Sequence, residues 1–206
     1  MTDQVETSSQ ADRQHTEHGR ERKQQLLDAA TELFAERGYG ATRIVDICQR
    51  AGVAKSLFYW YFPTKRELFV DLVRTMRLRL RRAQAAAMDH GSDALTRIGQ
   101  GAAASVRFMA DHAAYFALVD HERADPDLAD VLREGSDVYL DDVRILVEEG
   151  QRNGCVIDAD ATVLAIGVLG AVSSFSNAFR SGRLPASTTV EDLERVVVRW
   201  VTHALT

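Results

Sequence analysis

The stretch AGVAKSLFYWYFPTKRELF, residues 51–69, sets five aromatic side chains in a row, Phe58 to Phe62, between Lys55 and Lys65. A helix turns by about 100° per residue, so no single face can bury five consecutive rings. On that wheel Phe58 and Phe62 share one face, one turn apart. Ser56, Leu57 and Trp60 point broadly the other way, with Tyr59 on the flank. The two phenylalanines are expected to pack on Ile47, Cys48 and Val53, and the remaining rings to face outward. Pro63 ends the helix, because the residue before a proline is steered out of the helical region.

Upstream, Leu26, Leu27, Ala30, Leu33 and Phe34 repeat with the spacing of one buried helical stripe, which predicts a helix over 20–37. Gly38 and Gly40 stop it. Thr42 is expected to cap a helix over 43–50, Ala51-Gly52-Val53 forms a tight turn, and a second short helix covers 54–61. Thr64 then caps a long helix over 65–88. Two short helices joined by a glycine-containing turn and braced by an earlier helix make a helix-turn-helix. The second helix of that motif enters the major groove of DNA. Lys55, Ser56, Leu57, Tyr59 and Trp60 are therefore expected at the groove: a serine hydroxyl suits a base edge and a leucine a thymine methyl. Thr42, Arg43, Tyr61 and Lys65 are expected to hold phosphates, two of the positions lying at helix starts, where free N–H groups favour an anion.

The charge distribution agrees with a polyanion partner at one end. Residues 13–82 carry 15 Lys and Arg against 8 Asp and Glu, whereas residues 83–206 carry 10 against 19, and the 206-residue chain nets -5. The opening MTDQVETSSQADRQHTEHGR has no apolar core, so 1–19 reads as a disordered leader and not a signal peptide. ATVLAIGVLGAVSSF, 161–175, is shorter than the roughly 20 residues that span a bilayer and reads as a buried helix. Cys48 and Cys155 fit no metal or redox spacing. A cytoplasmic protein with no membrane association is expected. Asp120, His121, Glu122, Asp125 and Asp127 read more simply as a helix stop and restart around Pro126 than as a metal site. No nucleophile set, metal spacing or phosphate loop supports an enzyme or a cofactor.

The run LLDAATELFAERGYGATRIVDICQRAGVAKSLFYWYFPTKRELF, 26–69, resembles the DNA-binding region of TetR-family transcriptional regulators. Its Leu-Phe-x-x-x-Gly-Tyr, Ile-x-x-Ala-Gly-Val and YFPTKRELF segments carry the likeness, over about a quarter of the chain. Cys48, Ser56 and Leu57 stand where the family commonly has alanine, glycine and a small polar residue. The resemblance implies a homodimer whose C-terminal domain binds a small molecule that releases the protein from a palindromic double-stranded DNA operator, most simply as a repressor.

The rest of the chain is helical by periodicity, with helices near 92–111, 112–122, 127–150, 160–181 and 190–205. The expected architecture is all-α: the helix-turn-helix domain at 20–66 joined to a helical bundle at 67–206 that binds ligand and dimerises. Small residues from Gly167 to Ala178 and the apolar stripe from Leu193 to Ala204 place dimerisation on the helices at 160–181 and 190–205. Met76, Phe108, Met109, Tyr115 and Phe116, with Tyr139, Phe175 and Phe179, are candidates for an apolar pocket taking a hydrophobic effector. Two other readings stay open: an architectural DNA-binding protein without effector, and an all-α lipid carrier or enzyme whose basic head binds acidic ligands.

Overall fold

The computed structural model describes residues 3–123 and 125–206, with side chains described from His18 onward except at Gly135. Nine helices follow one another among the described residues: α1 Asp3–Arg37, α2 Ile44–Ala51, α3 Lys55–Tyr61, α4 Lys65–Ala87, α5 Ala94–Asp111, α6 Ala113–Glu122, α7 Ala129–Arg152, α8 Ala161–Arg180 and α9 Val190–Ala204. The leader expected at 1–19 falls mostly on side chains outside the described residues; the backbone runs in α1 from Asp3.

The chain divides into two compact units, one ending at Leu72 and one from Val73 to Thr206. The division comes later than the expected boundary at 66, because the opening turns of α4 belong to the core of the first unit. Leu68, Phe69 and Leu72 are buried there, and the Phe69 ring meets Phe34 and Tyr39 at 6.2 and 5.5 Å. Leu26, Ala30, Leu33 and Phe34 of α1 complete that core with Ile47 and Cys48 of α2 and Phe58 of α3. Burial pushes the Cys48 thiol up, so it stays a protonated packing group.

The turn between α2 and α3 depends on Gly52, whose φ of 66° lies in the left-handed region. The Val53 N–H reaches back to the Cys48 carbonyl at 3.0 Å and the Gly52 N–H to Gln49 at 3.2 Å, closing the end of α2. Caps depart from expectation at α2 and at α7, whose N-cap is Leu128 and not an aspartate of 125–127. The N-cap of α2 is Arg43, whose side chain and backbone pair with Asp46; the Thr42 hydroxyl turns inward instead. Thr64 caps α4 as expected, accepting from the Glu67 N–H at 3.1 Å.

In the second unit α5 packs chiefly on α9 and also on α7 and α8. Their contact buries Ile98, Val106, Val147, Val168, Val197 and Val201. The helix expected near 160–181 is present, but the expectation that 161–175 is buried needs correction. α8 spans 20 residues, long and apolar enough to cross a membrane; an 18-residue stretch of it has a mean hydropathy of 1.6, and only 28% of that stretch is buried. Ala165, Val168, Ala171 and Val172 face the core, while Val163 and Ile166 stay exposed.

Gly52→Ala should destabilise the protein by about 1–2 kcal/mol, the cost of a side chain in the left-handed region. Thermal denaturation should fall by several degrees. Gly40→Ala is the control: it too has open space around its Cβ direction but no positive φ, and should melt as the parent does.

Candidate nucleic-acid interface and ligand cavity

α3 is a short rod held from behind and bare in front. Phe58 is fully buried and Phe62 nearly so, their rings 5.8 Å apart. On the opposite side Trp60 is 74% and Tyr59 48% exposed, and Lys55 and Ser56 are exposed beside them. Leu57 is half-buried. The Trp60 ring stands edge-on to Tyr61 at 4.5 Å, and the Lys55 ammonium lies 5.7 Å from the Tyr59 ring centre. Among the described residues Lys55 makes no ion pair.

The residues expected at phosphates divide. Thr42 is 1% exposed, and its hydroxyl donates to the carbonyls of Gly38 at 2.8 Å and Leu33 at 3.2 Å. It braces the loop after α1 and has no hydroxyl to offer a phosphate. Lys65 points the same way. Its Nζ donates to the carbonyls of Tyr39 at 2.6 Å and Thr42 at 2.8 Å and sits 4.2 Å from the Tyr39 ring centre. The Tyr39 carbonyl also accepts the Thr42 N–H at 3.3 Å, so the cation adds a charged donor to a turn the backbone has already begun to close. Tyr61 donates its hydroxyl to the Gly19 carbonyl at 2.8 Å, tying α3 to α1. Arg43 is well exposed, yet its guanidinium rests on Asp46 at 2.9 Å, and that hydrogen bond holds the Asp46 carboxyl below its usual range.

The basic excess of this unit is therefore smaller in effect than its count. Arg50 bonds Glu36 at 3.1 Å and Glu32 at 2.8 Å. The first of these contacts contributes most to raising the guanidinium's affinity for its proton and to lowering that of Glu36.

The second unit contains a cavity of about 370 Å³, within the range of roughly 300–1,000 Å³ typical of small-molecule sites. Leu80, Met88, Ile98, Leu140, Val143 and Val172 make most of its wall, with Gln84 and Ser105 hydrogen-bonded to each other at 2.9 Å. Gly101 also lines it, and a Cβ there would stand 2.5 Å from the Met88 methyl. A smaller cavity of about 110 Å³ shares Met109, Arg123, Ser136, Tyr139 and Ser173 with it.

Of the expected pocket residues, Met109 and Tyr139 line both cavities and Met76, Tyr115 and Phe116 the smaller one. Phe108 lines neither; it stacks on His112 at 4.0 Å. Phe175 and Phe179 pack on the core cluster instead, Phe175 standing 6.4 Å from Trp200. Sequence reasoning missed Gln84, Met88, Ser105, Ser136 and Arg180. The available signal was a polar residue interrupting an apolar stripe, as Ser105 does in Gly101–Met109. Asp120, weighed as a metal ligand, instead accepts from Arg180 Nη2 at 2.9 Å and Asn177 Nδ2 at 2.7 Å.

An exposed helix after a braced turn, and a separate helical body that holds a cavity, define a helix-turn-helix protein with a helical companion domain. The sequence profile of bacterial regulatory proteins of the tetR family matches residues 26–72, and that of the tetracyclin repressor-like C-terminal domain matches 91–201. The chain belongs to the TetR family, whose members are DNA-binding transcriptional regulators and not enzymes. It is 44% identical over 54 residues to the HTH-type transcriptional activator FasR of Mycolicibacterium smegmatis, a match covering 26% of this chain and 25% of that protein. The matched segment thus spans about a quarter of that curated relative's length. Solved structures align over most of their lengths. The fatty acid degradation regulator FadR from Bacillus halodurans superposes with a TM-score of 0.79 at 20% identity, over 89% of this chain and 99% of that one. A TetR-like transcriptional regulator from Rhodococcus sp. RHA1 superposes at 0.70 and 22% identity, over 89% and 94%.

Lys65→Ala should cost about 2 kcal/mol of stability, since it removes the charged donor that bridges the Tyr39 and Thr42 carbonyls. Lys65→Arg should recover little, because a planar fork cannot reproduce one ammonium bonded to two converging carbonyls. Denaturant titration of both variants checks this; unchanged midpoints would return Lys65 to the phosphate role.

Proposed function

We propose that the chain is a ligand-responsive transcriptional repressor that binds a near-palindromic operator as a homodimer and leaves it when a hydrophobic effector fills the body cavity. The observation that carries the DNA half is the exposure of Trp60, 74%, on a helix whose Phe58 is fully buried. A large ring set in water by the same element that anchors its neighbours in the core is held out for a partner. Lys55, Ser56, Leu57, Tyr59 and Trp60 meet the major groove, and Lys55 takes over the cationic role first expected of Lys65. Arg43 and Tyr61 lie at the margins, where a phosphate would compete with Asp46 and with the Gly19 carbonyl.

The homodimer reading is supported by apolar side chains left exposed on two adjoining helices, Val163 and Ile166 on α8 and Val196 and Trp200 on α9. Gly167 and Gly170 leave open space beside the first pair, which permits close helix approach. A two-fold dimer reads half-sites about one turn of DNA, 10–10.5 bp, or a multiple apart. The effector acts only through its difference in affinity between the DNA-competent dimer and other dimer forms. Repression is the direction this mechanism supplies unaided, since an occupied operator obstructs transcription without a further contact surface. A cytoplasmic location follows from a DNA partner.

The test is a gel shift on the DNA upstream of the chain's own gene, with excess random DNA as competitor. One discrete complex that survives competition is expected; equal loss to random DNA would favour an architectural role. Trp60→Ala should weaken the complex at least tenfold while stability moves by no more than about 0.5 kcal/mol, as for exposed positions generally. Lys55→Ala should reduce the salt dependence of binding by about one unit of slope. A large loss of stability in Trp60→Ala would mean that the ring supports the fold and not the partner.

A further inference from the structure

We infer that the smaller cavity is an anion subsite centred on Arg180, so that the effector is an amphipathic anion: a carboxylate-type head with an apolar tail running into the larger cavity. This rests on reading the two cavities as the effector site and adds the chemical class of the ligand.

Arg180 lies at the C-terminal end of α8, and its side chain is only 9% exposed. One arm of the guanidinium is committed, Nη2 donating to Asp120 Oδ2 at 2.9 Å, and its flat face lies over the Phe116 ring, 5.3 Å from the centroid. The other arm is not: Nη1 is buried with no hydrogen-bond partner. A buried charged donor left without an acceptor is costly, and native proteins fill such vacancies. Arg180 lines the smaller cavity, so an acceptor entering that space completes the fork.

The electrostatics of the lining select the sign of that acceptor. Arg77, Arg123 and Arg180 face the cavity against one carboxylate, Asp120. Asp120 is already occupied by Arg180 and Asn177, with Arg123 Nε 3.8 Å away. Tyr115 and Tyr139, the other titratable groups of the lining, are held protonated by burial, so they are neutral. The larger cavity is mostly aliphatic, and its charged lining groups are one carboxylate, Asp137, and the shared Arg123, which offset each other. An anionic head finds no net positive charge there and is drawn to Arg180, while an alkyl tail is matched by Ile98, Val143 and Val172. Ser136, Tyr139 and Ser173, shared by both cavities, mark the passage between them.

Calorimetric titration of the full chain with decanoate, decyl phosphate, 1-decanol and decyltrimethylammonium tests the inference. Decanoate should bind at least about tenfold more tightly than decanol, the usual worth of a charge-assisted hydrogen bond. Decyl phosphate binding more tightly still would uphold the anion subsite and assign it to phosphate heads. Arg180→Gln should remove the advantage of decanoate while leaving decanol affinity within about twofold, and Arg180→Lys should restore part of it. Asp120→Asn keeps Arg180 and removes the competing carboxylate, so it should tighten decanoate; no gain there overturns the inference even if Arg180→Gln fails to fold. Equal binding of decanol and decanoate, or tightest binding of the ammonium, also overturns it. Gel shifts separate this from the broader reading. Arg180-dependent decanoate binding that leaves operator affinity unchanged upholds the anion subsite and overturns the effector role of the cavities. Equal release of DNA by decanol and decanoate does the reverse.

Discussion

Two rings one turn apart, Phe58 and Phe62, hold α3 against the first unit, and the character of the recognition surface follows from that anchoring. A seven-residue helix has little stability of its own, since nucleating a helix is unfavourable and short segments recover few hydrogen bonds. Burying two phenylalanines at roughly 1.5–3 kcal/mol each supplies what the backbone cannot. The same burial fixes the rotation of the helix about its axis. Once Phe58 faces the core, Trp60 and Ser56 have nowhere to point but outward. The left-handed Gly52 sets where the helix begins, and the phenylalanines set how it is turned.

Most of this was legible in the sequence, because periodicity and turn chemistry are local. Proline after the aromatic run, a glycine where a positive φ is needed, and Thr64 ahead of Glu67 each act within a few residues, so the helix boundaries fall close to where they were expected. The inward contacts of Thr42 and Lys65 were illegible for the converse reason. Their partners are backbone carbonyls, which every residue carries and no sequence advertises, so a threonine before a helix and a lysine at the start of one looked free for phosphates. The boundary at Leu72 was hidden similarly: α4 is one unbroken helix, and only packing shows that its first turns serve a different core from the remainder.

Charge and cavity follow the same rule at longer range. The basic excess over 13–82 was countable, but which cations remain available depends on pairings such as Arg50 with Glu32 and Glu36, made between α2 and α1. In the second unit large apolar side chains were expected to line the pocket, yet Phe108, Phe175 and Phe179 fill space elsewhere. A cavity is made by what is missing. Gly101, Ala102 and Ser105 leave room that Met88 and Leu80 only partly take, and a list of bulky residues cannot reveal it. Arg180 and Asp120 are 60 positions apart, and neither suggests the other in sequence.

The apolar side of α8 raises a choice that its own composition cannot make, since length and hydropathy would equally suit a bilayer. Its neighbours decide. In a lipid environment every polar group must be satisfied within the protein, but Ser176 already has a buried hydroxyl without a partner, and Ser173 and Ser174 are exposed on the same helix. Arg180 and Asn177 close one end by bonding Asp120 on α6, a fixed polar anchor within the body. α9, packed beside α8, shows a matching mixture: Val196 and Trp200 are exposed on a helix that also carries Arg107-bound Glu191 and Glu194. An apolar strip across two helices, edged by ion pairs and opened by two glycines, has the composition of a protein interface, with a nonpolar centre and a polar rim. In the proposed homodimer a second copy offers the same strip back under two-fold symmetry, which makes the surface its own complement.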